Sequence, residues 1–183
     1  LDISFVKEIM TKMLKKLFDI DPSFFEWHAV GEIVKVEAMH KATDMYGPLP
    51  YLKFGLTNPV PYDSQQAIYE SFFKELDHAI DILVKFDQAN PSSKALVKFD
   101  LIFNSNIPNW IRFANSLKLR LAMRISAVYE DAQKIAEAAV AHPYGVIESN
   151  DNNPTMQSNS NLSFTYNNPI HSISSAEGYE EDV

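Results

Sequence analysis

The sequence predicts an all-α fold built from stacked antiparallel helical hairpins, with long ordered loops between some of the helices. Three observations predict it. Apolar residues recur every three to four positions over most of residues 1–142, which is the spacing of one helix face. Strand-type alternation of apolar and polar residues is absent there. The segment 108–128 is apolar on two faces, which is typical of a helix that lies between other helices.

The first two predicted helices are bounded by clear start and stop signals. Asp2 is a suitable N-cap for a helix over 3–17, which ends before the Asp21-Pro22 break. A second helix is predicted over 25–46, where Gly47-Pro48 stops it.

A connection over 49–62 precedes the third helix. It contains three prolines, one glycine and the aromatic residues Tyr51, Phe54 and Tyr62, so we expect an ordered loop rather than a simple turn. The third helix is predicted to begin at Asp63, with Gln66 three residues later as in a capping box. Its apolar face consists of Ile68, Tyr69, Phe72, Leu76, Ala79, Ile80 and Leu83.

The fourth and fifth helices are predicted to form an antiparallel hairpin. Pro108 suits the first position of the fourth helix, and small residues on the fifth, over 131–141, allow close approach. Hairpins of this size resemble tetratricopeptide units. We expect Trp110 in the core and Leu119 and Met123 on the second apolar face. The basic residues of this segment are predicted to lie between the two faces: Arg112, Lys118, Arg120 and Arg124. The main face is predicted to consist of Trp110, Ala114, Leu117, Leu121, Ile125 and Val128.

Composition divides the chain into two parts. Residues 1–148 form the predicted helical, tetratricopeptide-like body. Residues 149–183 are rich in Asn and Ser, which is typical of loop rather than helix. We interpret this second part as a loop segment that begins a further C-terminal region.

Charge and cysteine content exclude several classes of function. The net charge is −8 and the one basic cluster is Lys12, Lys15 and Lys16, so nucleic-acid binding is not expected. No apolar run has the length of a membrane span. The absence of cysteine excludes disulfides, thiolate metal sites and a cysteine nucleophile.

No catalytic or metal motif stands out. Neither a Gly-x-Ser-x-Gly elbow nor a Gly-rich phosphate loop is present, although pairs of carboxylates keep a glycosidase open as an alternative. Two Glu-x-x-His sequences, Glu37/His40 and Glu75/His78, have the spacing used by di-metal bundles. His78 points away from the apolar face of its helix, however, so we interpret these histidines as surface residues and predict no metal and no cofactor.

Three segments together resemble one known family. Residues 43–51, TDMYGPLPY, resemble the T-D-x-Y-G-D-[IV]-P-Y segment of SusD/RagB-like proteins. Residues 63–80 resemble the helix that follows it there, and residues 110–125, WIRFANSLKLRLAMRI, are similar to the family's W-x-K-F-A-N-S-L-x-L-R-L-A-x-R-I helix. Pro48 replaces the usual Asp, and Ser105-Asn106 replace a Gly-Asp pair.

The resemblance implies a function at the cell surface. Family members are outer-membrane lipoproteins built on tetratricopeptide-like helices, and they hold glycans or other nutrients over a TonB-dependent transporter of the SusC type. They bind and deliver nutrients and are not enzymes. We therefore expect a non-catalytic nutrient-binding subunit on the extracellular face of the outer membrane. It would be attached through a lipid anchor that this chain lacks.

A sugar would be bound by aromatic rings and by polar side chains that pair with its hydroxyls. The residues whose types fit this role are Trp27, Asp44, Tyr46, Tyr51, Tyr62, Tyr166 and Asn168. Tyr46 and Tyr51 lie at motif positions that more commonly pack a helix end against a loop. The alternative function is a helical scaffold that binds a protein or peptide partner along its groove.

Overall fold

The computed structural model describes residues 25–56 and 59–155. Within these ranges the structure contains no strand, although an isolated antiparallel bridge joins Leu49 and Asp63. The all-α prediction is confirmed. The predicted helix over 3–17 lies outside the described residues. The four described helices are α1 (Phe25–Tyr46), α2 (Gln65–Ala89), α3 (Ile107–Arg124) and α4 (Ala132–Val140).

The helices form a stack in which each packs against the next in the chain. α1 and α2 are antiparallel, since Tyr69 near the start of α2 bonds Asp44 near the end of α1, whereas His78 farther along α2 bonds Glu32. Lys118 of α3 pairs with Asp77 of α2. The contact between α3 and α4 agrees with the predicted hairpin.

The core lies between the helices. All seven residues predicted on the apolar face of the helix now labelled α2 are buried, and Phe73 of the same helix is buried with them. Trp110 is buried as expected and contacts the rings of Phe103 and Phe113. This contact connects α3 to the segment that precedes it.

Asp100 holds Trp110 in place. Its carboxylate accepts hydrogen bonds from the indole Nε1 of Trp110 at 2.8 Å and from the backbone N–H groups of Ile102, Phe103 and Ser105 at 2.8–3.0 Å. One charged side chain thus satisfies four donors where the connection turns into α3.

Two helix ends differ from the prediction. α2 begins at Gln65 and is capped by Ser64, whose side chain accepts from the N–H of Ala67, because the carboxylate of Asp63 instead accepts from two backbone N–H groups of the preceding loop. α3 begins one residue before Pro108 and ends at Arg124.

The early end of α3 changes the environment of its last predicted positions. Val128 lies beyond the helix and is 85% exposed rather than buried. Met123, expected on a second covered face, is also exposed, whereas Leu119 is half-buried. α3 therefore has one fully buried face.

The loop after α1 is fixed at both of its ends. Gly47 adopts a positive φ of 74°, which suits a glycine after a helix, and its N–H bonds the carbonyl of Thr43 at 2.8 Å. At the far end, Asp63 accepts from the N–H groups of Tyr51 and Leu52 at 2.9 and 2.6 Å. These bonds attach the described part of the connection to α1 and to the start of α2, and its order stays a prediction.

Residues 149–155 contain a single 3-10 turn, Asn150–Asn152, with no buried side chain. The division at residue 148 stays a prediction, since residues 156–183 lie outside the described ranges. None of the described helices has the length and hydropathy needed to cross a membrane.

Candidate ligand-binding cleft

A cleft of about 420 Å³ opens where the end of α1, the start of α2 and the end of α3 meet. Its walls combine one acid, one cation, two amides and two phenols, together with two aliphatic residues. The lining residues are Asp44, Gln65, Gln66, Tyr69, Arg124, Ile125, Val128 and Tyr129.

Asp44 is the centre of the cleft's hydrogen bonding. One carboxylate oxygen accepts from the hydroxyl of Tyr69 at 2.6 Å, and the other lies 2.8 Å from Nε of Arg124. Burial, followed by the hydrogen bond to Asp44, raises the pKa of Tyr69, so its hydroxyl stays protonated and donates. The prediction that Asp44 belongs to a binding site remains a proposal, to which this cleft gives a location.

Two further tyrosines lie at the same end of the stack. Tyr46 is the last residue of α1 and Tyr62 precedes α2, and they are 65% and 72% exposed. Exposed phenol rings are suited to stacking on a sugar face. Tyr129 lines the cleft itself, stacked on Phe73 with ring centroids 6.5 Å apart.

Tyr51 does not belong to this surface. It is 4% exposed, and its hydroxyl donates to Glu75 at 2.7 Å while its backbone N–H donates to Asp63. Burial, followed by the charge of Glu75, raises its pKa. The structure therefore corrects the expectation of a ligand-stacking ring here, because the loop needs this ring to attach it to α2.

Trp27 lies at the opposite end of the stack. Its ring meets Phe99 edge-on at 5.2 Å, and both line an apolar groove of about 270 Å³ with Val30, Val34, Leu101 and others. Trp27 and Asp44 therefore do not share a site. The candidate residues Tyr166 and Asn168 lie outside the described residues.

The sequence alone did not identify most of the cleft. Apolar spacing predicts Arg124 between the two faces of its helix and Tyr69 in the core, but it names no partner for either. They meet Asp44 because α2 and α3 both pass the end of α1. The signal that could have been used is the polar pair Gln65 and Gln66, which follows Asp63 at the start of the predicted third helix.

The two Glu-x-x-His pairs do not converge. His40 is buried, at 6% exposure, with Nδ1 3.2 Å from the carbonyl of Val36; the expectation of a surface histidine is wrong there because α1 is covered on more than one side. Glu75 is likewise engaged, with Tyr51 and Lys35. His78 is exposed, as predicted, and contacts Glu32.

Known proteins similar to this chain in sequence and fold point to a single family. The sequence model of the SusD-like family, described as SusD and RagB outer membrane lipoproteins, matches residues 4–182. A SusD homologue from Bacteroides uniformis is 42% identical with a TM-score of 0.65, over 70% of this chain and 26% of that one. A chitin-binding SusD homologue from Flavobacterium johnsoniae is 33% identical with a TM-score of 0.79, over 94% and 36%.

A third solved structure, described as a chitin-binding protein, is 41% identical with a TM-score of 0.67, over 85% of this chain and 31% of that one. The chain thus spans between 26% and 36% of the length of these three relatives. No functionally curated protein matches it. The match over 4–182, together with the shared helical architecture, shows that the chain belongs to the SusD-like family of outer membrane lipoproteins.

Proposed function

We propose that the protein is a non-catalytic glycan-binding subunit at the extracellular face of the outer membrane. The observation that carries the proposal is the similarity, in both sequence and fold, to two relatives described as chitin-binding. Both are more than 30% identical to this chain, which supports a shared class of ligand. Oligosaccharides with β-linked N-acetylhexosamine units are therefore the first ligands to test.

The chemistry of the cleft supports this proposal. Asp44 and Arg124 offer an acceptor and a donor at fixed positions, and Gln65 and Gln66 add amide groups. Sugars are bound by this combination of hydrogen-bonding side chains and aromatic surface. Tyr46 and Tyr62 are the exposed aromatic residues at this end, and we assign the stacking role to them.

The test is a binding measurement on the full-length protein without its lipid. Calorimetry and co-sedimentation with insoluble polysaccharides would compare chitin, starch and xylan. We expect retention on chitin and weaker binding by Tyr62→Ala, since one stacked ring accounts for about 1 kcal/mol. Phe99→Ala is the matched control, because Phe99 is an equally exposed aromatic residue at the opposite end.

Two outcomes would count against the proposal. If the folded full-length protein binds no polysaccharide of the panel, the glycan-binding function fails. If it binds but Tyr62→Ala, Tyr46→Ala and Asp44→Asn bind as tightly as the parent, the function stands and the assignment of the binding site to this end of the stack fails.

Delivery to a TonB-dependent transporter of the SusC type completes the proposal. Membership in a family of outer membrane lipoproteins supports it, because a nutrient held at the outer face of that membrane must pass through a carrier to enter the cell. Co-purification of the transporter with an affinity-tagged full-length protein is expected. Delivery would be contradicted if the tagged protein reaches the outer membrane and no transporter is recovered with it.

The apolar groove favours a second candidate, a helical scaffold for a protein or peptide. Phe99 and Leu101 are exposed there beside the half-buried Trp27, and exposed apolar clusters commonly bind partners. This candidate would be favoured over the first if the protein binds no glycan and binds a peptide that Phe99→Asp no longer binds.

A further inference from the structure

Two histidines and one glutamate converge between α1 and α2, away from the cleft. His28 and Glu32 lie one turn apart on α1, and His78 reaches them from α2. Oε2 of Glu32 lies 2.8 Å from Nδ1 of His78 and 3.7 Å from Nδ1 of His28. The ligand-type atoms of all three residues fall within 4.8 Å of one another.

The residue types match a transition-metal site. Imidazole nitrogen and carboxylate oxygen are the donors that Zn²⁺ takes in sites with three protein ligands and an open position. The spacing of His28 and Glu32, at i and i+4, places two of the donors on one helix face. The third comes from a neighbouring helix, so the set is not an accident of one local sequence pattern.

The geometry is close to what a metal requires. Donors bound tetrahedrally at about 2.0–2.1 Å from Zn²⁺ lie roughly 3.3 Å from one another. The carboxylate of Glu32 already lies near that distance from both histidines. The donor nitrogens of His28 and His78 lie at most 4.8 Å apart, so their separation must shorten by no more than about 1.5 Å. The side chain of His78 is 53% exposed, so a rotation of that ring can close the gap without moving a helix.

The charge and the solvent exposure around these three residues are compatible with a bound cation. His28 and Glu32 have side-chain exposures of 21% and 12%, so two donors are already held in place, while His78 leaves a path to solvent. Lys35 and Glu75 also act electrostatically on His28. They form an ion pair with each other at 2.8 Å, so their opposite effects largely cancel. Glu32 remains as a net negative charge facing the two rings.

We propose that His28, Glu32 and His78 form a binding site for a divalent transition-metal ion of the Zn²⁺ class, with water in the remaining positions. The bound ion cross-links α1 to α2 at the end opposite the cleft. The site does not use the Glu-x-x-His spacing, and it is separate from the residues to which the glycan-binding function is assigned.

Titration of the chelator-treated full-length protein with Zn²⁺ by calorimetry tests the site. One ion per chain is expected, and His78→Gln and Glu32→Gln should each weaken binding by at least about tenfold, as for the loss of a metal ligand or its support. Co²⁺ provides an independent spectroscopic readout, since a four- or five-coordinate site gives visible absorption bands that His78→Gln abolishes.

His142→Gln is the matched control, because it removes another histidine, one that lies after α4. It should bind Zn²⁺ as the parent does. Equal binding by the parent, His78→Gln and Glu32→Gln would show that the ion attaches elsewhere and would overturn the proposal. So would the absence of binding up to about 1 mM Zn²⁺, a concentration that corresponds to an interaction of only about 4 kcal/mol.

Discussion

At the scale of single residues, two partly buried carboxylates, those of Asp100 and Glu75, secure the loops around the helices. Asp100 accepts four N–H donors, including the indole of Trp110. Tyr51 bonds Glu75, which also accepts from Ser71 and pairs with Lys35. In both cases one carboxylate accepts from several partly buried donors, which would otherwise lose a partner.

Asp100→Asn should destabilise the protein. The amide replaces one acceptor oxygen with an N–H₂ group that faces N–H donors, and hydrogen bonds to a charged acceptor are worth about 1.5–3 kcal/mol each. We expect the free energy of unfolding, measured with urea, to fall by about 2–3 kcal/mol. Asp131→Asn is the control, since Asp131 is exposed and makes no capping bond. Equal losses in the two variants would contradict the role of Asp100.

Tyr51→Phe should lower the free energy of unfolding by about 1–2 kcal/mol, because it leaves Glu75 with one donor fewer in a largely buried place. Tyr46→Phe removes the same hydroxyl from an exposed ring and should leave stability within about 0.5 kcal/mol of the parent. Thermal unfolding of both variants provides the comparison. A neutral Tyr51→Phe would show that the loop does not depend on this bond.

The core position of Trp110 could be predicted from its spacing, whereas its anchor could not. Periodicity reports which face of a helix is apolar, but it carries no information on which acid outside the helix accepts from an indole. Asp100 precedes α3 in an irregular segment, where Asn104 and Ser105 adopt positive φ values of 51° and 66°. These two positions shape the turn that brings Asp100 to Trp110.

At the scale of elements, the strength of the local signals decided how well each helix was predicted. α1 ends at Tyr46 as predicted, because Gly47-Pro48 gives an unambiguous stop. The start of α2 was misplaced by two residues, since Asp63 and Ser64 are both good N-caps and only the loop contacts of Asp63 decide between them. The end of α3 was misplaced because the apolar spacing continues past Arg124.

A pair of substitutions on α3 tests where that helix ends. Leu121→Ala removes a fully buried side chain and should cost about 2–5 kcal/mol of unfolding free energy. Val128→Ala, predicted by spacing alone to lie on the same face, should change it by less than about 0.5 kcal/mol because the residue is exposed. A large loss for Val128→Ala in urea denaturation would mean that this residue is covered.

At the scale of the whole molecule, charges on α3 pair with acids on the other helices. Lys118 contacts Asp77, Arg120 contacts Glu37 and Arg124 contacts Asp44. The sequence predicted that these cations lie between apolar faces, but not their partners, which are 41 to 83 residues distant along the chain. The same limit explains the candidate cleft, for which the sequence supplied Asp44 without Tyr69 or Arg124.

Acidification should destabilise the fold partly through His142. Burial, followed by the charge of Lys118, lowers its pKa, against a smaller opposing effect of Asp81, and its Nδ1 accepts from the N–H of Tyr144 at 3.3 Å. The unfolded chain therefore binds a proton more readily below the ordinary pKa of about 6.5, so stability is lost as the pH falls through that value toward the lowered one. His142→Gln should reduce the slope of unfolding free energy against pH between about pH 7 and 5. An unchanged slope would contradict this assignment.

The pairing of Asp44 with Tyr69 and Arg124 limits the charge of any compound that the cleft can accept. An anionic compound would compete with Asp44 for the guanidinium, and a cationic one would compete with Arg124 for the carboxylate; either would weaken the junction of three helices. A neutral polyhydroxylated compound can instead use lone pairs and N–H groups that the existing contacts leave available. For the glycan-binding function proposed above, we therefore expect an uncharged saccharide in this cleft rather than a uronic acid or an amino sugar with a free ammonium group.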